Sequence, residues 1–273
     1  MISFLQKLKY SIKGKLLQLL YFKTEQRLLK GTFKGNQNLS PVILLTVHKA
    51  ASSLLSVRLT PFFRNRGYEV ADISSYFART GISKRDYFIQ SESQRKSVFC
   101  APGVFHCAIR WEVEIPCPQL ARIILVLRDP RDVLVSHFFS TKYSHPVLNP
   151  EFFVFKEKSE NLGIDEYVKW IAPDFLRRYL HYIKLMKSEN VLFLKYENLI
   201  TEPRRFEKDI AEFVKLSCNP GEIVSEADFE VNKEDPSSHK RQVKSGDHRN
   251  KLKPETINWL TDYFKEVLDT LEY

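Results

Sequence analysis

The run Val42-Ile43-Leu44-Leu45-Thr46-Val47, followed at once by His48-Lys49-Ala50-Ala51-Ser52-Ser53-Leu54, constrains this chain more than any other feature. Six aliphatic or β-branched residues without polar alternation read as a strand covered on both faces, the kind found in parallel sheets. A short loop then leads to two serines at the mouth of a predicted helix. Backbone N–H groups at such a turn point into one concavity, the helix contributes its positive end, and Lys49 adds a full charge. The loop therefore suits a phosphate or a sulfate. It is not a nucleoside-triphosphatase loop, because G-x-x-x-x-G-K-[ST] needs glycines that Ala50 and Ala51 do not supply. An ordinary strand–turn–helix with a surface lysine has the same local pattern, so a second segment has to decide.

That segment runs from Arg122 through Arg128-Asp129-Pro130-Arg131-Asp132 to Ser136 and Phe139. Residues 123–127 form another continuous apolar strand. Pro130 drives Asp129 out of the helical region, so Asp129 or Asp132 can serve the next helix as cap or first-turn acid. Arg128 falls at the strand's C-terminal end, where open α/β sheets hold ligands. Ser136 lies about two helical turns further on, within range of the guanidinium. A fork of donors plus a hydroxyl suits a dianionic phosphate. A structural Arg128–Asp132 ion pair is the competing reading.

Together the two segments resemble the sulfotransferases that use 3′-phosphoadenosine 5′-phosphosulfate (PAPS). H-K-A-A-S-S-L stands against that family's P-K-[ST]-G-[ST]-[ST]-W, and R-D-P-R-D-V-L-V-S against R-[ND]-P-[KR]-D-x-x-x-S. In the first, His48, Ala51 and Leu54 replace proline, glycine and tryptophan, while Lys49, Ser52 and Ser53 keep their places. Tyr196-Glu197-Asn198-Leu199 resembles the later Y-E-[DN]-L segment. Arg241 to Asn250 resembles R-K-G-x-x-G-D-W-K-N, with Arg241, Gly246, Asp247 and Asn250 matching and Gln242, Val243 and His248 departing.

The resemblance runs from about residue 40 to the C-terminus. It implies an α/β domain over 39–273 with a mainly parallel central sheet flanked by helices, the P-loop nucleotide-kinase-like sulfotransferase fold. The implied activity is in-line, metal-independent transfer of a sulfuryl group from PAPS to a hydroxyl or amine acceptor, leaving adenosine 3′,5′-bisphosphate (PAP). Under that reading Lys49, Ala50, Ala51, Ser52 and Ser53 hold the 5′-phosphosulfate, and Lys49 also stabilises charge on the leaving oxygen. Arg128, Ser136 and Arg241 grip the 3′-phosphate, and Tyr196 lies near the adenine. His106 is the expected general base, with Glu112 and Glu114 as carboxylate alternatives. The competing activities are a nucleotide-dependent kinase of related fold and a catalytically inactive basic binding module.

Composition narrows the partners. Forty-two Lys and Arg against 33 Asp and Glu give a net charge of +9, which fits a highly anionic small ligand, an anionic membrane or nucleic acid. Residues 236–253 carry Lys240, Arg241, Lys244, Arg249, Lys251 and Lys253 against Asp247 alone. That run overlaps the phosphate-closing segment and favours a ligand, so no specific nucleic acid is expected. The four cysteines lack a C-x-x-C pair and the seven histidines lack H-E-x-x-H; no metal is predicted, and idle thiols suit a reducing, cytoplasmic compartment. Residues 1–38 are expected to be a helical extension. Leu5, Leu8, Ile12, Leu16 and Leu19 recur at helical spacing among lysines, so residues 1–23 either pack on the domain or contact a membrane surface peripherally. The acceptor is expected to be a small molecule, lipid or carbohydrate. Further expectations are a strand near 97–100, an aromatic loop over 146–155, and a helix over 165–188 interrupted at Pro173.

Overall fold

Strands without polar alternation need cover on both faces, and this chain supplies it. The computed structural model describes residues 21–80, 91–144, 150–230, 235 and 242–273. Most of the expected amphipathic helix of residues 1–23, and the expected phosphate ligand Arg241, lie outside the described residues. Strands β1 (Val42–Thr46), β2 (Glu69–Ala71), β3 (Val104–Ile109), β4 (Arg122–Leu127) and β5 (Val191–Lys195) form one sheet in the order β2-β3-β1-β4-β5. Every pairing is parallel. Central β1 is buried along its whole length, as its unbroken apolar sequence requires.

Helices α1 (Lys23–Leu29), α2 (Ser52–Arg64), α3 (Ile73–Thr80) and α4 (Glu92–Phe99) belong to the first half. After β4 come α5 (Pro130–Phe139), a π-helical turn over Ser140–Ser144, α6 (Pro150–Asn161) and α7 (Ile164–Leu185). Past β5 lie α8 (Tyr196–Thr201), α9 (Pro203–Val214), α10 (His248–Lys251), α11 (Pro254–Tyr263) and α12 (Lys265–Leu271). Among the described residues, no helix is long and apolar enough to cross a membrane.

Topology places the site. From β1 the chain builds β2 and β3 on one side, then returns across β1 to build β4 and β5 on the other. Loops leaving β1 and β4 therefore diverge, and a crevice opens between their C-terminal ends.

Three local expectations are corrected. Residues 97–100 end a helix instead of forming a strand: the Ser91 hydroxyl caps α4 by accepting from the Gln94 N–H, and Val98 and Phe99 enter the core. The strand comes after the turn, at Val104–Ile109. Gly103 makes that turn at φ +72°, where a Cβ would lie 2.7 Å from the Asn36 nitrogen. Phe152–Phe155 belong to α6, which opens at Pro150, a helix position that needs no N–H. Finally, α7 runs through Pro173. An interior proline costs about 3 kcal/mol, and the buried face of Tyr167, Val168, Ile171, Phe175, Tyr179 and Tyr182 offsets it.

Part of the N-terminal segment is integrated into this core. Phe22, Leu28 and Leu29 are buried, and a Glu25 carboxylate oxygen accepts from the Asp72 N–H at 2.6 Å.

Candidate active site

The 48–53 loop owes its shape to two left-handed residues, Lys49 at φ 69° and Ala51 at φ 58°. A side chain in that conformation costs roughly 1–2 kcal/mol, which explains why the resembling pattern carries glycine where Ala51 stands. Ala51→Gly is expected to raise stability by about 1 kcal/mol, read as a higher denaturant midpoint; a lower midpoint would contradict the strain. Helix α2 starts next to this turn with no side-chain cap and no acid in its first turn. Its leading N–H groups are thus available to an anion. Ala50 is fully buried beneath them. The Ser52 hydroxyl accepts from Arg110 Nε at 2.7 Å, and Ser53 is half-buried beside it.

Arg128 ties this loop to two other segments. Its Nη1 donates to the Lys49 carbonyl at 3.1 Å and its Nη2 to the Lys244 carbonyl at 3.0 Å. The guanidinium carbon sits 4.5 Å over the Tyr196 ring. Arg128 Nε is buried and has no hydrogen-bond partner among the described residues. A donor left in that state costs about 1–3 kcal/mol, and an anionic oxygen would relieve it. Ser136 lies on α5, half-buried.

Asp129 is the N-cap of α5, accepting from the Arg131 N–H at 2.9 Å and pairing with that guanidinium at 2.7 Å. Asp132 stands 3.6 Å from Arg128, but its stronger bonds hold the 242–250 segment. It accepts from the Gly246 N–H at 2.6 Å, the His248 N–H at 3.0 Å and His248 Nδ1 at 2.7 Å. Burial opposes its ionisation, yet the His248 hydrogen bonds and the Arg128 charge hold its pKa down at about 2. The Arg128–Asp132 ion pair of the competing reading is thus present, but the carboxylate serves His248 first. Behind them, Glu197 accepts from the Asp129 N–H and from the Tyr273 hydroxyl at 2.9 Å, and burial pushes its pKa up.

The structure places the three expected bases differently. His106 lies mid-strand in β3, in register with Ile43 and Ala71, sealed from solvent. Its Nε2 meets the Val98 carbonyl at 3.0 Å, so that nitrogen carries the proton, and burial pushes the pKa down to about 4. It is three residues short of the strand end and turned to α4, which corrects the expectation of a catalytic base. His106→Gln, which can keep a donor to Val98, is expected to leave kcat unchanged, and a collapse of turnover would restore the role. Glu112 takes both oxygens to Arg177 Nε at 3.0 Å. Glu114 pairs with Arg95 at 3.1 Å while 73% exposed.

The buried imidazole also sets an acid limit. The unfolded chain protonates His106 near its ordinary pKa of about 6.5, whereas the folded chain resists until about 4. Unfolding therefore takes up protons between these values, and stability falls as pH drops through that window. The loss is about 3 kcal/mol at 1.36 kcal/mol per unit. His106→Gln should flatten the denaturation midpoint against pH between 6.5 and 4; an unchanged slope would assign the acid sensitivity elsewhere.

The residues that do reach the loop escape sequence reasoning. Arg110 follows β3 directly, and placing that strand at 97–100 hides its strand-end position. Arg178 has no local signal: only the crossing of α7 brings its Nη1 to His48 Nδ1, 3.2 Å away and 130 residues distant in sequence. Arginine can only donate, so His48 Nδ1 accepts and the neutral ring keeps its proton on Nε2. Tyr182, one turn beyond Arg178, places its hydroxyl 3.2 Å from the Thr46 carbonyl and 3.1 Å from that of Trp111.

A crevice at the sheet switch point, an uncapped helix start, a lysine and a buried unmatched guanidinium suit a nucleotide with two separated anionic groups. Comparison with known proteins bears on the fold and the family. Mouse sulfotransferase in complex with PAP shares the fold at a TM-score of 0.57, with 16% identity over 90% of this chain and 89% of that one. Retinol dehydratase, solved with retinol and PAP, gives a TM-score of 0.54 at 13% identity over 89% and 84%. Among curated sequences, the 3-beta-hydroxysteroid sulfotransferase of Cavia porcellus is 30% identical over 109 residues, 38% of this chain and 34% of that protein. Its 3-alpha counterpart is 29% identical over 128 residues, 44% and 41%. The matches thus span only about a third to two fifths of these curated relatives. Residues 113–272 match the family described as "Sulfotransferase domain", more than half of the chain, and the protein belongs to that family.

Proposed function

We propose that this chain transfers a sulfuryl group from PAPS to a hydroxyl or amine of a small-molecule acceptor. One observation carries the reading: Arg128 Nη1 contacts the Lys49 carbonyl while its own Nε stays unmatched. Both anion grips therefore belong to one crevice, as a doubly phosphorylated adenosine demands.

Bound PAPS supplies the activated sulfuryl group on its 5′ side. The α2 N–H groups with Ser52 and Ser53 hold that end, and Ala50 and Ala51 shape the loop around it. Lys49 offsets charge developing on the leaving oxygen. Arg128, with Ser136 and Arg241, binds the 3′-phosphate, and Tyr196 supports the guanidinium from below.

Hydroxysteroid relatives support an alcohol on an apolar body, and Phe77 and Trp111, 6.5 Å apart, offer aromatic surface beside Arg110. The four unpaired thiols support a reducing, cytoplasmic setting. Calorimetry with PAP and with magnesium ATP tests the donor. PAP is expected to bind at least about tenfold tighter, since one charge-assisted phosphate contact is worth that much; a preference for ATP would replace this reading with a kinase.

A further inference from the structure

Two half-buried guanidiniums at the crevice meet no carboxylate. Arg110 spends Nε on the Ser52 hydroxyl, and Arg178 spends Nη1 on His48 while its face rests 5.0 Å over the Phe175 ring. Neither forms an ion pair among the described residues. The carboxylates whose fields reach them are engaged elsewhere. Asp72 accepts from the Ser75 N–H and hydroxyl at 2.8 and 2.7 Å, and Glu112 and Asp174 both bind Arg177.

The two arginines share one wall. Arg178 sits one turn before Tyr182, and Arg110 adjoins Trp111, whose carbonyl the Tyr182 hydroxyl contacts. Both charges act on that phenol. Desolvation is the main influence on each guanidinium and pulls its pKa down from the usual range. A guanidinium held this way without a paired carboxylate is costly unless an anion joins it. On the sulfotransferase reading, on which this step rests, the donor's phosphates are already met by Arg128, Lys49 and the α2 start. Arg178 comes from α7, which carries neither grip, and Arg110, just past β3, touches the donor loop through its Nε, at Ser52.

We propose that Arg110 and Arg178 form an anion subsite for the acceptor, and that the acceptor bears a carboxylate beside the hydroxyl it offers. A planar guanidinium matches a carboxylate through two parallel hydrogen bonds, and Arg178 keeps Nε and Nη2 for that purpose.

The experiment uses the full chain. Calorimetry first measures PAP affinity for the natural chain, Arg110→Met, Arg178→Met and Arg178→Lys. An aromatic hydroxy acid and a hexuronate, each paired with its primary amide, are then titrated into the PAP-saturated proteins. The natural chain is expected to bind the acid of at least one pair about tenfold tighter than the amide. Each methionine variant should erase that preference. PAP affinity should stay within about twofold for Arg178→Met, well under one charge-assisted contact; Arg110→Met also removes the donor to the Ser52 hydroxyl, so its acceptor binding is compared at PAP saturation. Arg178→Lys keeps the stem and charge without the fork, so a reduced preference is expected there even if the methionine variant does not fold. Equal binding of acid and amide, or a preference surviving both positions, overturns the subsite. Weakened PAP binding in Arg178→Met assigns that arginine to the donor and overturns it too. Failure of the natural chain to bind PAP sinks the sulfotransferase reading instead. The acid–amide comparison then runs on the nucleotide-free chain, where an Arg178-dependent preference supports the subsite and its absence overturns it.

Discussion

Lys49→Ala is expected to lower kcat by about 10²–10³-fold, the usual effect of removing one group aimed at developing charge in a sheltered site. PAP affinity should change far less, because PAP lacks the sulfuryl group whose departure the ammonium answers. Arg128 holds residue 49 through its carbonyl, which alanine retains, so that tie survives while the ammonium goes. Alanine tolerates the left-handed backbone as Ala51 already does. Single-turnover transfer from PAPS to an accepted alcohol or phenol measures the step, and an undiminished rate would remove Lys49 from the chemistry.

Arg128→Met should weaken PAP binding by about ten- to a hundredfold, because one or two charge-assisted hydrogen bonds at 1.5–3 kcal/mol each disappear. Affinity for adenosine 5′-monophosphate, which lacks the 3′-phosphate, should fall much less, so the ratio between the two nucleotides is the informative readout. Arg128→Lys should not rescue it, since a point charge cannot serve Lys49, Lys244 and the ligand from one plane. Some stability is lost as well, roughly 1–3 kcal/mol for the carbonyls left without their donor. Equal losses for both nucleotides would mean that Arg128 organises the crevice without touching the 3′-phosphate.

Strand-dominated parts of the fold were readable where side chains carry the information locally. Val42–Thr46, Ile123–Leu127 and Val191–Lys195 are unbroken apolar runs of strand length, and each is a strand of the parallel sheet. Pro130 after Asp129 announced the start of α5, and Asp129 caps it. Segment 97–100 misled because Val98 and Phe99 bury equally well from a helix; the Ser91 cap, six residues before Ser97, decides the matter. That displacement of β3 had a functional consequence. It moved attention to His106, inside the sheet, and away from Arg110 at its edge.

From sequence alone came the two basic segments and their strand-end placement, since a lysine loop after a buried strand and R-D-P-R-D before a helix are contiguous patterns read within one or two turns. Folding decided which other charges join them. His48 and Arg178, Arg128 and Lys244, and Asp132 and His248 are separated by 116 or more residues, and they meet only because β1 and β4 are neighbours while α7 and the 242–250 segment close over their ends. Local periodicity encodes burial, but the partner of a buried charge depends on chain crossing. Arg110 and Arg178 therefore come to the crevice only in three dimensions.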